Sequence, residues 1–330
     1  MNVHIKYPIG VVIAGCLMTV NLLTGAEFRK SGTAGFVFLE MPVTARSVGL
    51  GQTGITLPDA NVEGLFVNPA LTALGEHSYY LHSTYARWFV ETTHQAFGFV
   101  HQHPVRGAVG VQMILLNFGE MEQTRNLTPA EADNLRPGDN NTYFSEGQFS
   151  AEAYALGLTY ARRLTDKFAC GANLKFIRET VATHHAENII ADLGFLYQTG
   201  FSSLRVGANL QNFGLEAAYA NEKFKMPQRL ILGLSGELWG TYTAPNHLTW
   251  LVEAVHPNDA NEQLHCGLEV FVANLLFLRS GYKFGYDYEK ISFGLGTRFQ
   301  FKERRIDFDL AYMRHTYLES SVRYSLSMEL

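Results

Sequence analysis

Beyond residue 76 the chain alternates. In its last stretch Val322, Tyr324, Leu326, Met328 and Leu330 fall on one face, and Arg323, Ser325, Ser327 and Glu329 on the other. In 291–301, Ile291, Phe293, Leu295, Phe299 and Phe301 oppose Ser292, Gly294, Gly296, Arg298 and Gln300. The same period runs through Leu204/Val206/Ala208/Leu210 and through Phe168/Cys170/Ala172/Leu174/Phe176. A two-residue period sustained over eight or more residues marks a strand with two unlike faces. A soluble secreted sandwich alternates too, but two features separate it from this chain. The polar faces are rich in glycine and small residues rather than Lys and Glu, which suits a crowded interior. The segments also run about ten residues, the length that crosses a bilayer at a tilt, whereas ordinary strands average about five or six.

About fourteen such segments follow one another, near 79–90, 95–103, 106–119, 150–163, 167–181, 187–199, 203–212, 228–239, 247–255, 263–272, 275–284, 290–301, 305–315 and 321–330. An even count places both ends of a barrel on the periplasmic side, with short turns there and longer loops outside. The tight connections 164–167, 199–202, 273–274 and 302–304 then face the periplasm, and 120–149, 182–186, 213–227 and 255–262 face outward. The reading is an all-β chain: a transmembrane antiparallel β-barrel of about fourteen strands over 77–330. Trp88, Phe89, Trp239, Tyr242, Trp250, Tyr282, Tyr286, Tyr288, Tyr312 and Tyr317 near strand ends are expected to form interfacial girdles.

The segment before the barrel follows a different pattern. Residues 1–26 read as a signal peptide, with an apolar core over 9–23 and small residues before Glu27. Ile13-Ala14-Gly15-Cys16 gives a rival reading as a lipoprotein box, although the apolar run continues past Cys16. Residues 27–76 read as a hatch, at the periplasmic mouth or inside the lumen. Within 41–74 lie glycine-rich turns at Gly49, Gly51 and Gly54, a Pro58-Asp59 turn and an Asn68-Pro69 break. Arg46 is the lone cation in the otherwise uncharged run from Met41 to Leu57; inside a barrel it needs a carboxylate or backbone carbonyls, and would anchor the segment to the wall. Asn68 before Pro69 is expected to be extended and to cap a short helix over Pro69-Ala70-Leu71-Thr72-Ala73-Leu74.

Composition narrows the function. Only 17% of residues are charged and the net charge is -5, which gives no footprint for nucleic acid. A mean hydropathy of -0.04 is too low for a helical membrane protein and suits a barrel with a polar lumen. Cys16, Cys170 and Cys266 are too far apart in this scheme for a disulfide, and no zinc spacing is present. No GxSxG, Walker A, Rossmann or HExxH motif occurs. His184-His185 and His101/His103 lack a completing ligand set, and Asp307/Asp309 read as lumen carboxylates facing Arg298 or Arg323. No catalytic residue, cofactor or metal is expected, and no enzyme.

Three sequence stretches carry a family resemblance. Ala45-Arg46-Ser47-Val48-Gly49-Leu50-Gly51, Pro58-Asp59-Ala60 and Asn68-Pro69-Ala70-Leu71 resemble the N-terminal signature of the PorV/PorQ outer-membrane proteins. The middle stretches 147–151, 154–161, 164–168 and 171–176 are similar to that family's strands. Gln52 stands where the family usually has glycine, and the usual paired Asp is reduced to Asp59. The stretch 36–46 is somewhat nearer the PorQ side. The resemblance implies a fold shared with FadL-type transporters and a hatch holding Arg46, Gly49, Gly51, Asn68, Pro69 and Ala70. It also implies residence in the bacterial outer membrane among its lipids. Its partners would be secretion-system or surface-attachment proteins of type IX secretion; the longest outward connections, 120–149 and 213–227, are expected to carry the contacts. The alternative it leaves open is FadL-like passage of a hydrophobic ligand through the lumen.

Overall fold

The computed structural model describes residues 32–133, 143–219, 222–286, 289–302 and 304–330. The leader with Cys16, the loop residues Asp139, Asn140 and Asn141, and Tyr288 lie outside them. The strands are β1 (Tyr79–Arg87), β2 (Thr93–His103), β3 (Gly107–Asn126), β4 (Tyr143–Thr165), β5 (Phe168–Val181), β6 (His184–Gln198), β7 (Arg205–Gly214) and the short β8 (Ala217–Tyr219). They continue as β9 (Glu222–Phe224), β10 (Arg229–Trp239), β11 (His247–Pro257), β12 (Gln263–Val272), β13 (Leu276–Phe284), β14 (Ile291–Phe301), β15 (Arg304–Met313) and β16 (Ser321–Glu329).

Fourteen of them close into one antiparallel barrel: each pairs with its sequence neighbour, β7 with β10, and β1 with β16. Closure leaves no open edge, the condition lipid imposes on spanning strands. The β1–β16 seam runs in register from Tyr80↔Glu329 to Arg87↔Val322. The remaining two strands, β8 and β9, form a separate hairpin in the β7–β10 loop.

The alternation sorts side chains as the barrel requires. Leu156, Leu158, Leu174, Ile189, Leu232 and Phe293 are all more than 40% exposed on the outer face, where lipid covers them. Inward positions carry Thr159, Asn173, Glu253, Glu269, Asp307 and Arg323, all buried. No described helix is long and apolar enough to cross a membrane. Cys170 and Cys266 are free.

The wall departs from the sequence expectation at β3 and β4. Both run past the bilayer into the segment read as loop, pairing as a ribbon from Glu120↔Ser150 to Asn126↔Tyr143. Ordinary barrel pairing breaks first at a bulge between Asn117 and Glu120, where Gly119 takes φ 76°. Bulges of this kind bend a wall and end regular pairing. Two of the expected girdle aromatics also turn inward. Tyr242 hydrogen-bonds to Arg46 and Asp59, and Trp88 packs with Ala45, Val48 and Met313.

The segment before β1 fills the bore. It descends from a 3-10 turn (Val37–Glu40) through a helical turn (Ala45–Gly49) and a second one (Gly64–Val67) to a 3-10 helix (Pro69–Leu74). Ala34 bridges to Lys225 in the outer β7–β10 loop, whereas Gln102 near the short β2–β3 turn donates to Ala73 O. The segment therefore runs from the outer mouth to the periplasmic end. Inward-facing glycines let it lie against the wall. A Cβ on Gly281 would overlap the Gly51 backbone, and one on Gly194 would overlap the Asn68 side chain.

Candidate functional site

Inside the lower half of the barrel the segment is held by an ion-pair lattice. The helical turn Ala45–Gly49 starts at Thr44, whose hydroxyl accepts from Ser47 N, and it packs on β13–β16. Its close approach needs glycine: Gly49 lies so near β14 that a Cβ there would stand 2.8 Å from Gly294 Cα. Gly49 is thus helical rather than part of a glycine-rich turn, as the sequence suggested. Gly51, at φ 71°, makes the turn that follows, and its N–H donates to Ser292 Oγ at 3.1 Å.

Arg46 sits at the centre of the lattice. Its Nε and Nη2 donate to Glu269 on β12 at 2.9 and 2.7 Å, and Nη1 donates to Asp59 at 2.7 Å. Asp59 also accepts from Tyr242 and from Arg298 Nη2, the latter at 2.9 Å. Arg298 is shared with Asp307 in a two-point pair, and Arg305 links Asp307 to Glu329. Arg279 ties Glu269 to Asp309. Of the two cations expected opposite Asp307/Asp309, only Arg298 is there. Arg323 has no carboxylate partner among the described residues and instead donates to Val43 O and touches His94.

Electrostatics follow from this geometry. Burial works against the Asp59 carboxylate, yet Arg46, Arg298 and Arg305 together hold it well below its ordinary range. Glu63, on the hatch, has no such partner among the described residues, and its Oε1 is unsatisfied. Burial, with Asp309 and Asp59 nearby, pushes it up to about 8 against the pull of Arg46 and Arg279. Burial among neighbouring carboxylates thus favours the neutral form of Glu63.

Backbone groups of the hatch are met by the wall as well. Glu253 on β11 accepts from Gly54 N and Ile55 N at 2.6 and 2.9 Å. Asn68 is extended (φ -156°, ψ 110°), and its side chain accepts from Ala70 N at 3.1 Å. The same amide donates to Ile55 O at 2.7 Å and to Phe195 O on β6 at 3.2 Å. Pro69 opens the 3-10 helix, and Pro69 and Ala70 lie against Gly171 of β5. Of the six residues singled out by sequence, Arg46, Gly49 and Gly51 gather on the β12–β14 wall, and Asn68, Pro69 and Ala70 on the β5–β6 wall.

Sequence reasoning missed Glu253, Glu269, Arg279 and Tyr242. For the two glutamates the signal was present: in Leu251-Val252-Glu253-Ala254-Val255 the strand period puts Glu253 on the lumen side, where a lone carboxylate needs a partner. Tyr242 lies in a turn, outside any period.

Above the lattice, toward the outer mouth, the β2–β6 side of the lumen is apolar, while the opposite side carries the buried His265, Lys283 and Arg323. Phe36 and Phe38 are buried among Ile114, Leu116, Ile177, Ile190 and Met226, with Phe66, Phe118 and Phe224 at the margin. The β8–β9 hairpin covers this chamber: Phe224 lies 5.4 Å from the Phe36 ring, and Tyr219 donates to Glu179. A free space of about 60 Å³ remains beneath, lined by Leu39, Met41, Phe66 and Ile114 together with polar groups that include Glu40, Lys175, Arg229 and His265. On the lipid side of the same wall, at the β3 bulge, a groove of about 230 Å³ is lined in part by Leu116 and Ala153, which also belong to the chamber. No group of side chains among the described residues could hold a metal ion.

A closed fourteen-stranded barrel with an apolar outer belt, a polar lower lumen and its own N-terminal segment lodged inside is a bacterial outer-membrane barrel, and its fold is that of the FadL-type barrels. Solved structures similar to it include the Pseudomonas putida toluene transporter TodX, at 13% identity over 87% of this chain and 98% of that one, with a TM-score of 0.57. The CymD monoaromatic hydrocarbon channel matches at 13% identity over 89% and 98%, TM-score 0.56. A Pseudomonas aeruginosa FadL homologue matches at 11% identity over 87% and 97%, TM-score 0.55. At these identities the likeness establishes the fold. No protein-family model matches the chain, and no curated protein matches it in sequence.

Proposed function

We propose that the protein is a passive outer-membrane channel for a hydrophobic small molecule, with residues 41–74 as its periplasmic plug. The carrying observation is the apolar chamber in the outer half of an otherwise polar lumen, next to a bulged wall. A water-filled porin has no use for Ile114, Leu116, Ile177 and Ile190 turned inward; an apolar guest does. The similar solved channels, named for toluene and monoaromatic hydrocarbons, support the same reading. About 60 Å³ is well short of the ~150 Å³ cavity that admits benzene. A guest therefore enters by displacing Phe36 and Phe38. Uptake of labelled toluene by cells expressing the protein tests this: uptake above the empty host, raised further by Phe36→Ala, supports it, and uptake equal to the empty host contradicts it.

A second reading rests on the PorV/PorQ resemblance of residues 45–51 and 68–71 together with the β3–β4 ribbon, which offers a partner surface beyond the bilayer. In that reading the barrel serves type IX secretion or surface attachment. Affinity recovery from detergent-solubilised outer membranes would return secretion proteins, and deletion of the outer part of the β3–β4 loop would reduce them.

A further inference from the structure

The periplasmic mouth opens into a vestibule of about 720 Å³, and its charge is unlike that of the rest of the molecule. Its floor is the underside of the lattice, with Asp59, Arg298, Arg305 and Glu329 facing the opening. Arg163, Lys167 and Arg304 stand at its rim, exposed, and none of the three forms an ion pair among the described residues. Arg163 makes only a 3.4 Å contact to Leu74 O. Exposed Arg106, Arg162 and Lys302 extend the positive rim; Glu76 and Asp166 are the exposed acids beside it, and Asp59 and Glu329 are paired with arginines in the floor. The outer end is mixed: exposed Glu120, Glu122, Glu187 and Glu216 stand with exposed Lys223, Lys225, Lys290 and Arg314, and Arg125 pairs with Glu131 and Glu146, within a chain whose net charge is -5. A basic mouth on an acidic protein is a local feature, not a compositional accident.

We propose that this vestibule binds an acidic, extended protein segment presented from the periplasm. The spacing of the cations selects the class. Arg163 on β4 and Lys167 in the β4–β5 turn lie across the opening from Arg304 on β15, with β16, β1, β2 and β3 between those strands. Two cations at β4 and a third five strands away round the rim do not share one strand end; they match carboxylates repeated along a chain better than one small anion. The vestibule lies within the bore rather than on the lipid-facing wall, which favours a peptide over a phospholipid headgroup. Complementary charge of this kind speeds encounter and selects partners, and it weakens as salt screens it. The proposal is independent of what passes through the upper chamber.

The test is fluorescence anisotropy of a labelled oligo-aspartate peptide titrated with the full barrel in uncharged detergent. Serine-glycine and oligo-lysine peptides serve as controls, and vesicles containing anionic phospholipid as a separate arm. The expected result is saturable binding of the acidic peptide alone, weakened by added salt. Binding should fall at least about tenfold in R163E/K167E/R304E and by less in R163Q/K167Q/R304Q. Both variants change only rim side chains, and an unaltered heat-dependent shift in gel migration confirms that each barrel is folded. Absence of saturable binding overturns the proposal, as does equal affinity for the control peptides or for the charge-reversed barrel. Binding of the anionic vesicles without binding of the peptide also overturns it, and assigns the rim to lipid headgroups.

Discussion

Arg46 holds the hatch to the wall through a pair on each side: Glu269 on β12 and Asp59 on the hatch itself. Arg46→Ala strands Glu269 beside Arg279 alone and Asp59 beside Arg298, at a cost of about 3–5 kcal/mol to hatch seating. The strand ladder does not depend on that pair, so the barrel should fold while single-channel conductance in planar bilayers rises. Asn68→Ala should act in the same direction. It loses a cap worth about 1 kcal/mol and also two donated hydrogen bonds, to Ile55 O and Phe195 O. Gly281→Val should unseat the hatch by collision, because its Cβ would occupy the place of the Gly51 backbone. Glu63 gives a pH signature. Its pKa is about 8 in the closed state against an ordinary 4.5, so the released hatch binds fewer protons between those values. The contribution of Glu63 to closure is therefore full below about pH 4.5, weakens as pH rises toward about 8 and is spent above that, while that of Asp59 runs the other way and is lost only in strong acid. The groups lining the same small cavity are Arg46, Asp59, Arg305, Asp307, Asp309 and Glu329. Bilayer recordings across a range from about pH 5 to about pH 9 should show more frequent openings at the alkaline end, and Glu63→Gln should flatten that dependence.

Among the elements, the strands were the most legible. A face that must meet lipid and a face that must meet a crowded lumen impose a strict period of two, so β12 and β14 lie almost where alternation placed them. Inward glycines such as Gly171, Gly207 and Gly294 signalled a crowded interior, which proved to be the hatch backbone pressed on the wall. The hatch was less legible, because its short turns are fixed by wall partners far away in sequence. Nothing local to Ala45–Gly49 declares a helical turn, and nothing near Arg46 names Glu269, 223 residues on. The β3–β4 ribbon was hidden for a related reason: outside the bilayer both faces meet water, so alternation disappears although pairing continues. The strap carrying Phe36 and Phe38 acts as an element of its own. Removing both rings by Phe36→Ala/Phe38→Ala should leave migration on a gel unchanged and speed entry of apolar solutes, because the chamber is then vacant.

On the scale of the whole molecule, the bore is divided in two. The lower half is a charged, hydrogen-bonded plug; the upper half holds an apolar chamber on its β2–β6 side, under an outer hairpin and beside a bulged wall, with the buried Lys283, Arg323 and His265 on the other side. In the proposed function an apolar molecule is the guest that replaces what that chamber already holds. The central claim is tested most directly by measuring initial uptake of a radiolabelled monoaromatic hydrocarbon. The host should lack channels of this type and express either the parent protein or the Phe36→Ala/Phe38→Ala variant at equal outer-membrane abundance. The account predicts uptake above the empty host for the parent, faster uptake for the variant, and no matching rise for a polar solute of similar size. Uptake by both proteins equal to that of the empty host would contradict it.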